Sequence, residues 1–249
     1  MTDGWRAVAA PPALRPGDAH VWRVRLDAAD ELPALRALLS DDERARMDRF
    51  HRPADRVRFG VAHGWLRRVL AAYLDAAPSA LAFGVGEHGK PFLRDAALEF
   101  NLSHSGDLAL VAVAAHGPVG VDVERWDRAV ECLELAERFF SPAELGALHA
   151  LREDDARVVE GFFATWSRKE AYLKATGHGI TRGLRHFDVP FAPGGAAALV
   201  ADRLDVEATG RWAITGLAAA PGYSAALVAA APLRALNLLE PPATGWGSR

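Results

Sequence analysis

Gly120-Val121-Asp122-Val123-Glu124 sets two carboxylates two residues apart. On an extended strand that spacing projects both from one face. Adjacent acids repel unless they are solvated, protonated or bridged by a cation. Oxygen pairs of this kind suit Mg²⁺, which takes one or two carboxylates and completes its shell with water and phosphate. A solvated strand face, or an Asp paired with Arg125 or Arg128, accounts for the same residues without a metal. A second set runs Trp166-Ser167-Arg168-Lys169-Glu170-Ala171-Tyr172-Leu173-Lys174. On a helix, Trp166, Glu170 and Leu173 share a face, with Lys174 one turn beyond Glu170. Glu-to-Lys at this spacing is an ordinary surface pair. Glu170, however, falls on the stripe of Phe162, Phe163, Trp166 and Leu173, where a carboxylate must be paired or serve something at the core's edge.

Phe100-Asn101-Leu102-Ser103-His104-Ser105-Gly106 ends a strand in small hydroxyl residues, a His and a Gly. Hydroxyls and free backbone N–H groups there could cradle a phosphate or carbonyl. An ordinary surface loop fits equally well. A Ser/His nucleophile pair is less suited, because neighbours on an extended chain point apart, and no G-x-S-x-G elbow occurs. His88-Gly89-Lys90-Pro91 is a turn carrying a lysine, without the glycine spacing or the Ser/Thr of a P-loop. Arg49, Arg52, Arg56 and Arg58 crowd the join of two N-terminal helices, as a solvated face or a local phosphate site. Only three lysines, Lys90, Lys169 and Lys174, stand among the 29 basic residues. In so Arg-rich a chain they mark places where a compact ammonium serves better than a planar guanidinium.

The elements that must position these residues follow from pattern. His20–Leu26 alternates as a half-buried strand. Ser40 with Glu43 forms a capping box for a helix to Phe50, and Pro53 opens a longer helix to about Leu74. Short apolar runs from Leu81 to Glu124 read as strands with tight links. Helices return over Val130–Phe139, from Ser141 (capped with Glu144) and over about Asp155–Thr176, where Gly177 stops the chain. Four short strands follow, and Pro241–Arg249 reads as a frayed end. Strands grouped beside helices predict an α+β fold with a seam near Gly117–Gly120.

With 249 residues, 50% hydrophobic, 24% charged and net charge −3, the composition is globular. It gives no basic excess for nucleic acid. One cysteine excludes a disulfide framework and a cysteine-built zinc site. No apolar run approaches the roughly 20 residues of a membrane helix, and no signal peptide is visible, so a cytoplasmic protein is expected.

Taken in order, GKP, FNLSHS, GVDVE, RFF and W-x-x-KEA-x-x-K resemble the 4′-phosphopantetheinyl transferases of the larger, surfactin-synthetase type, over about Ser40–Thr181. The resemblance implies two similar α/β subdomains packed as an intramolecular pseudo-dimer, with the active site between them. The expected division is 1–118, 119–232 and a flexible tail 233–249. It implies transfer of phosphopantetheine from coenzyme A to a serine of an apo acyl or peptidyl carrier protein, with release of 3′,5′-ADP. Asp122, Glu124 and Glu170 would hold Mg²⁺ (or Mn²⁺), and Asp122, Glu170 and Lys174 would be catalytic. Either Glu170 or a water beside Glu124 would take the serine proton. Lys90, Ser103 and His104 would grip coenzyme A phosphates, Lys169 would line the same cleft, and Arg52 and Arg58 would meet the 3′-phosphate. Carrier docking would fall near Val130–Phe140, and a monomer is expected. A non-catalytic coenzyme A or carrier-protein binding module is the alternative, as is another Mg²⁺ phosphotransferase or pyrophosphohydrolase.

Overall fold

The computed structural model describes residues 4–127, 129–179, 182–191, 196–242 and 246. Arg128, one partner considered for Asp122, lies outside them. The chain is a mixed α and β structure. After a short strand β1 (Arg6–Ala7) come β2 (Asp18–Arg25), α1 (Leu32–Arg36), α2 (Asp41–Asp48) and α3 (Pro53–Leu74). A hairpin of β3 (Phe83–Val85) and β4 (Pro91–Leu93) leads into β5 (Glu99–Ser105), β6 (Leu108–Ala114) and β7 (Val119–Arg125). Helices α4 (Cys132–Phe139), α5 (Pro142–His149) and α6 (Asp155–Thr176) follow. The chain then forms β8 (Phe187–Asp188), β9 (Ala196–Ala198), β10 (Ala201–Asp202), β11 (Trp212–Leu217), β12 (Tyr223–Ala230) and β13 (Ala235–Glu240).

Two sheets carry the molecule, ordered β1-β13-β2-β6-β5 and β7-β12-β11-β9. Alternation sorts their faces. Val21, Leu110 and Ala112 of the first sheet meet Val121, Val123 and Leu227 of the second in one buried apolar layer. The opposite face of the first sheet, with Trp22, Phe100 and Val111, packs on Leu66, Val69 and Leu70 of α3. The opposite face of the second sheet receives α6 through Ala171, Leu173 and Ala175 against Ala226 and Val228. The layers therefore run helix, sheet, sheet, helix.

Both capping boxes form, with Ser40 and Ser141 each accepting from the N–H three residues on while Glu43 and Glu144 return the bond. Gly177 ends α6 at φ +73°, in the left-handed region. The tail expected from 233 is a correction: β13 runs parallel between β1 and β2, and Leu239 is fully buried. Its partners lie at the far end of the sequence, so no local pattern announces the pairing.

Gly120 decides how close α6 can come to β7. A Cβ there would stand 2.1 Å from the Ala171 carbonyl oxygen and 2.4 Å from the Ala175 nitrogen, both helix backbone. The helix turn carrying Lys174 is laid directly on the strand carrying Asp122. Gly120→Ala is expected to push α6 outward and cost about 1–3 kcal/mol of stability, as overpacking against rigid backbone does, measured by urea unfolding.

Candidate functional site

β5 and β7 are edge strands of different sheets, and side chains join them. Asn101 Oδ1 accepts from the Val121 N–H at 2.9 Å, Ser103 Oγ from the Val123 N–H at 3.3 Å and Ser105 Oγ from the Arg125 N–H at 3.1 Å. The two serine hydroxyls donate in turn, Ser103 to Asp122 Oδ1 at 2.8 Å and Ser105 to Glu124 Oε2 at 2.9 Å. N-x-S-x-S on one strand thus matches D-x-E on the other, residue by residue, because both have the period-two repeat of extended chain.

Lys174 reaches into this seam from α6. Its Nζ donates to Asp122 Oδ1 at 2.6 Å and to Ser103 Oγ at 2.9 Å. Asp122 is 2% exposed, and its Oδ2 is buried with no partner among the described residues. It is therefore neither a solvated acid nor the partner of Arg125. Burial first, then the charge of Asp122, pushes the Glu124 carboxyl up to about 7. Burial and the same neighbour also raise Glu170, which has no hydrogen-bond partner among the described residues. Three acids thus share one region with a single ammonium between them. Among the described residues no three ligating groups stand already gathered at metal-binding spacing.

Beside them lies a cavity of about 250 Å³, lined by His88–Pro91, by Asn101 and Leu102, and by Glu170, Leu173, Lys174, Gly177 and Gly179. Lys90 braces its hairpin wall, donating to the carbonyls of Val119 at 3.0 Å and Ala175 at 3.2 Å. A larger hollow of about 420 Å³ between Pro11–Leu14 and Ala72–Leu74 has no charged group in its lining, so it offers no phosphate chemistry.

Not every expected residue reaches the cavity. Lys169 is a correction. It is fully buried, pairs with Glu144 Oε2 at 2.7 Å and donates to the carbonyls of Leu184 and Phe187 at 2.8 and 2.7 Å. One residue's rotation on α6 turns it inward while Glu170 faces the cavity. Ser103 is saturated by Val123, Asp122 and Lys174, so it organises the site and has no capacity to spare. Arg58 is engaged by Asp107 at 3.0 Å and Asp55 at 3.3 Å. Arg52 is exposed at the N-cap of α3, with no capping bond from its side chain. His104 lies on the α3 side of β5 with part of its ring open to solvent and part packed among its neighbours.

A 4′-phosphopantetheinyl transferase superfamily domain matches residues 118–228, and the N-terminal domain of such transferases matches residues 27–116. The chain is 40% identical to the 4′-phosphopantetheinyl transferase HetI of Nostoc sp. over 190 residues, 74% of this chain and 79% of the relative. It is 32% identical to a 4′-phosphopantetheinyl transferase of Bacillus subtilis over 163 residues, covering 65% and 70%. With the 4′-phosphopantetheinyl transferase Sfp of Bacillus subtilis the identity is 30% over 161 residues, covering 64% and 70%.

Two basic residues escaped the reading of the sequence. The pKa of His104 is lowered by partial burial and by the charges of His63, Lys174, Arg46 and Arg58, which all press on it. His63 and Arg46 both lie over Phe59, the first stacked at 4.0 Å and the second 5.2 Å from the ring centre. Their signal was available as i, i+4 spacing on α3 for Phe59 and His63, but it has no meaning until α2 is folded against α3. Glu43 makes that fold. Burial raises its pKa, but the His63 ring 3.5 Å away, the Ser40 N–H and Arg67 prevail and hold it at about 2, and Arg67 Nε stands 2.7 Å away. A carboxyl depressed from 4.5 stabilises the fold fully above the unfolded pKa and loses that contribution as pH falls towards 2. Glu43→Gln is expected to cost about 2–3 kcal/mol at pH 7. The gap to the parent should narrow steadily between pH 4.5 and 2 in urea-unfolding curves.

Proposed function

The chain belongs to the 4′-phosphopantetheinyl transferase superfamily, a family of enzymes that modify carrier proteins, and on that premise we propose its donor, its metal and the duties of its residues. The donor is coenzyme A and the acceptor a serine of an apo acyl or peptidyl carrier protein. The serine Oγ bonds to the phosphorus that bears the pantetheine arm, the pyrophosphate P–O bond breaks, and 3′,5′-ADP leaves. The observation that carries this reading is the cavity beside Lys174, Glu170 and the buried, unpartnered Oδ2 of Asp122.

The donor set fits a hard divalent cation. Asp122, Glu124 and Glu170 supply only carboxylate oxygen, and burial first, then the charge of Asp122, raises the pKa values of the two glutamates. They would hold Mg²⁺, with Mn²⁺ meeting the same oxygens. Such an ion, when bound, neutralises pyrophosphate charge and orients the leaving group. The chain's own groups do the rest. Lys174, fixed by Asp122 and Ser103, offers an ammonium to charge growing on the phosphoryl oxygens. Glu170, its pKa raised by burial and by Asp122 and with no hydrogen-bond partner among the described residues, accepts the serine proton. Arg46 and Arg58 supply the positive potential for the 3′-phosphate, the His104 ring offers it a hydrogen-bonding nitrogen, and Lys90 holds the hairpin wall against α6.

The two family matches, meeting near residue 117, support subdomains that divide near 118, and we assign to them a pseudo-dimer packing around this cavity. Among the described residues no helix is long and apolar enough to cross a membrane, and we assign a cytoplasmic monomer acting on diffusing carriers.

The test mixes the protein with coenzyme A, Mg²⁺ and an apo carrier protein and reads the carrier's intact mass. A gain of one phosphopantetheine, lost with EDTA, is expected. Asp122→Ala and Glu170→Gln should each reduce the rate at least about 100-fold with unchanged circular dichroism. Lys174→Arg should remain slow, since a planar fork does not reproduce a point ammonium between Asp122 and Ser103. Activity retained in Asp122→Ala would overturn the metal assignment.

A further inference from the structure

The loop that leaves α6 is tied down by a buried carboxylate to which the reaction gives no task. Asp202 has a fully buried side chain, and both its oxygens are filled. Oδ2 accepts from the Tyr172 hydroxyl at 2.7 Å and from Arg182 at 2.5 Å. Oδ1 accepts from the N–H groups of Leu204 at 2.9 Å and Asp205 at 3.2 Å. Tyr172 stands on α6 between Glu170 and Lys174, so one arm of this hub grips the helix that carries the site.

The other arm is Arg182, whose side chain is 9% exposed. Its Nη1 lies 3.4 Å from Nδ1 and 3.5 Å from Nε2 of His178. The His178 ring in turn stacks on His88, with centroids 6.1 Å apart and planes 25° from parallel. His88 sits on the β3–β4 turn, and His88, Gly177 and Gly179 all line the cavity. The contact therefore closes a frame around the cavity mouth, from α6 across to the hairpin. Arg182 also keeps its Nε buried with no partner among the described residues, a cost that its ion pair with Asp202 alone leaves unexplained. Asp202 without Arg182 would still accept from three donors but would be a buried anion without a cation, whereas nothing in that pairing calls for the second contact of Arg182, to His178.

We propose that Arg182 is a positioning residue for coenzyme A. Anchored on Asp202, it holds His178 against His88 and so sets the width of the cavity mouth, without touching the reacting phosphorus. This rests on the reading that coenzyme A occupies the cavity. An arginine is suited to the task, because its fork can engage a carboxylate with one nitrogen and an imidazole with another, which a lysine cannot do.

Steady-state kinetics of Arg182→Ala, Arg182→Lys, His178→Ala and the Arg182→Ala/His178→Ala double variant test it, with coenzyme A and apo carrier varied separately. Arg182→Ala and His178→Ala should each raise KM for coenzyme A about tenfold, with kcat within about twofold of the parent. KM for the carrier should hold in all of them and the melting temperature in His178→Ala, while Arg182→Ala and the double variant lose stability by leaving Asp202 a buried anion without its cation. Arg182→Lys should stay impaired, and the double variant should be no worse than either single one, since both break one contact. An unchanged KM for coenzyme A, or losses that multiply in the double variant, would overturn the proposal. If Arg182→Ala does not fold, His178→Ala, altered at an exposed residue, decides the matter alone. Failure of the parent protein to transfer from coenzyme A would instead remove the functional reading, and this one with it.

Discussion

Two sheet edges meet in this protein without backbone pairing, and that junction sets the rest. Val121, Val123 and Arg125 present N–H groups on the free side of β7, where burial without partners would be costly. Asn101, Ser103 and Ser105 of β5 satisfy them through side chains. Only short polar side chains reach across at this spacing, and only alternate residues face the right way. Each serine hydroxyl, having accepted an N–H, still has its proton to give, and it gives it to a carboxylate. The same bonds that join the sheets therefore aim Asp122 and Glu124, and functional orientation is inseparable from the fold's closure.

The second determinant is the rotation of α6. Gly120 lets the helix backbone touch β7, which fixes distance. Lys169 fixes the angle. Its ammonium is fully buried between Glu144 and two carbonyls, while Glu144 also accepts from the Val189 N–H at 2.9 Å. Such a pair adds little net stability over an apolar packing of the same shape, but losing either partner alone leaves a buried charge. A helix so anchored has one permitted face towards the cavity, the one bearing Glu170 and Lys174. Tyr172, bonded to Asp202, locks the same turn from behind.

Much of this was legible in the sequence where the physics is local. Ser40 with Glu43 and Ser141 with Glu144 announce helix starts because a capping box closes within four residues. Gly177 announces a stop because only a left-handed residue ends the helix there. Asp122 and Glu124 declare a common face by strand geometry alone. Long-range roles were hidden. Glu43 and Glu144 read fully as caps, yet each also holds a buried cation from elsewhere, Arg67 and Lys169. The rarity of lysine correctly marks three sites that need a compact ammonium, but cannot tell a buried structural one from one at the cavity. β13 was invisible because six residues of modest apolarity gain strand identity only from β1 and β2, more than 200 positions away.

Charge distribution explains why these constraints had to be so strict. Lys174 is the one ammonium bonded to the acid cluster, and it also raises the positive potential that presses on His104. Displaced outward by a turn, it would leave Asp122 as a buried anion with only the Ser103 hydroxyl and would lose its hold on the seam. Displaced inward, it would be buried with Asp122 and withdrawn from the cavity. With its side chain 29% exposed against 3% for the side chain of Asp122, it is anchored at one end and open at the other. An ammonium held this way needs no reorganisation to meet a growing negative charge, because the energy of ordering it was spent in folding. The seam, the close approach at Gly120 and the Lys169 anchor thus converge on one result, a single ammonium held on Asp122 in the same region as Glu124 and Glu170.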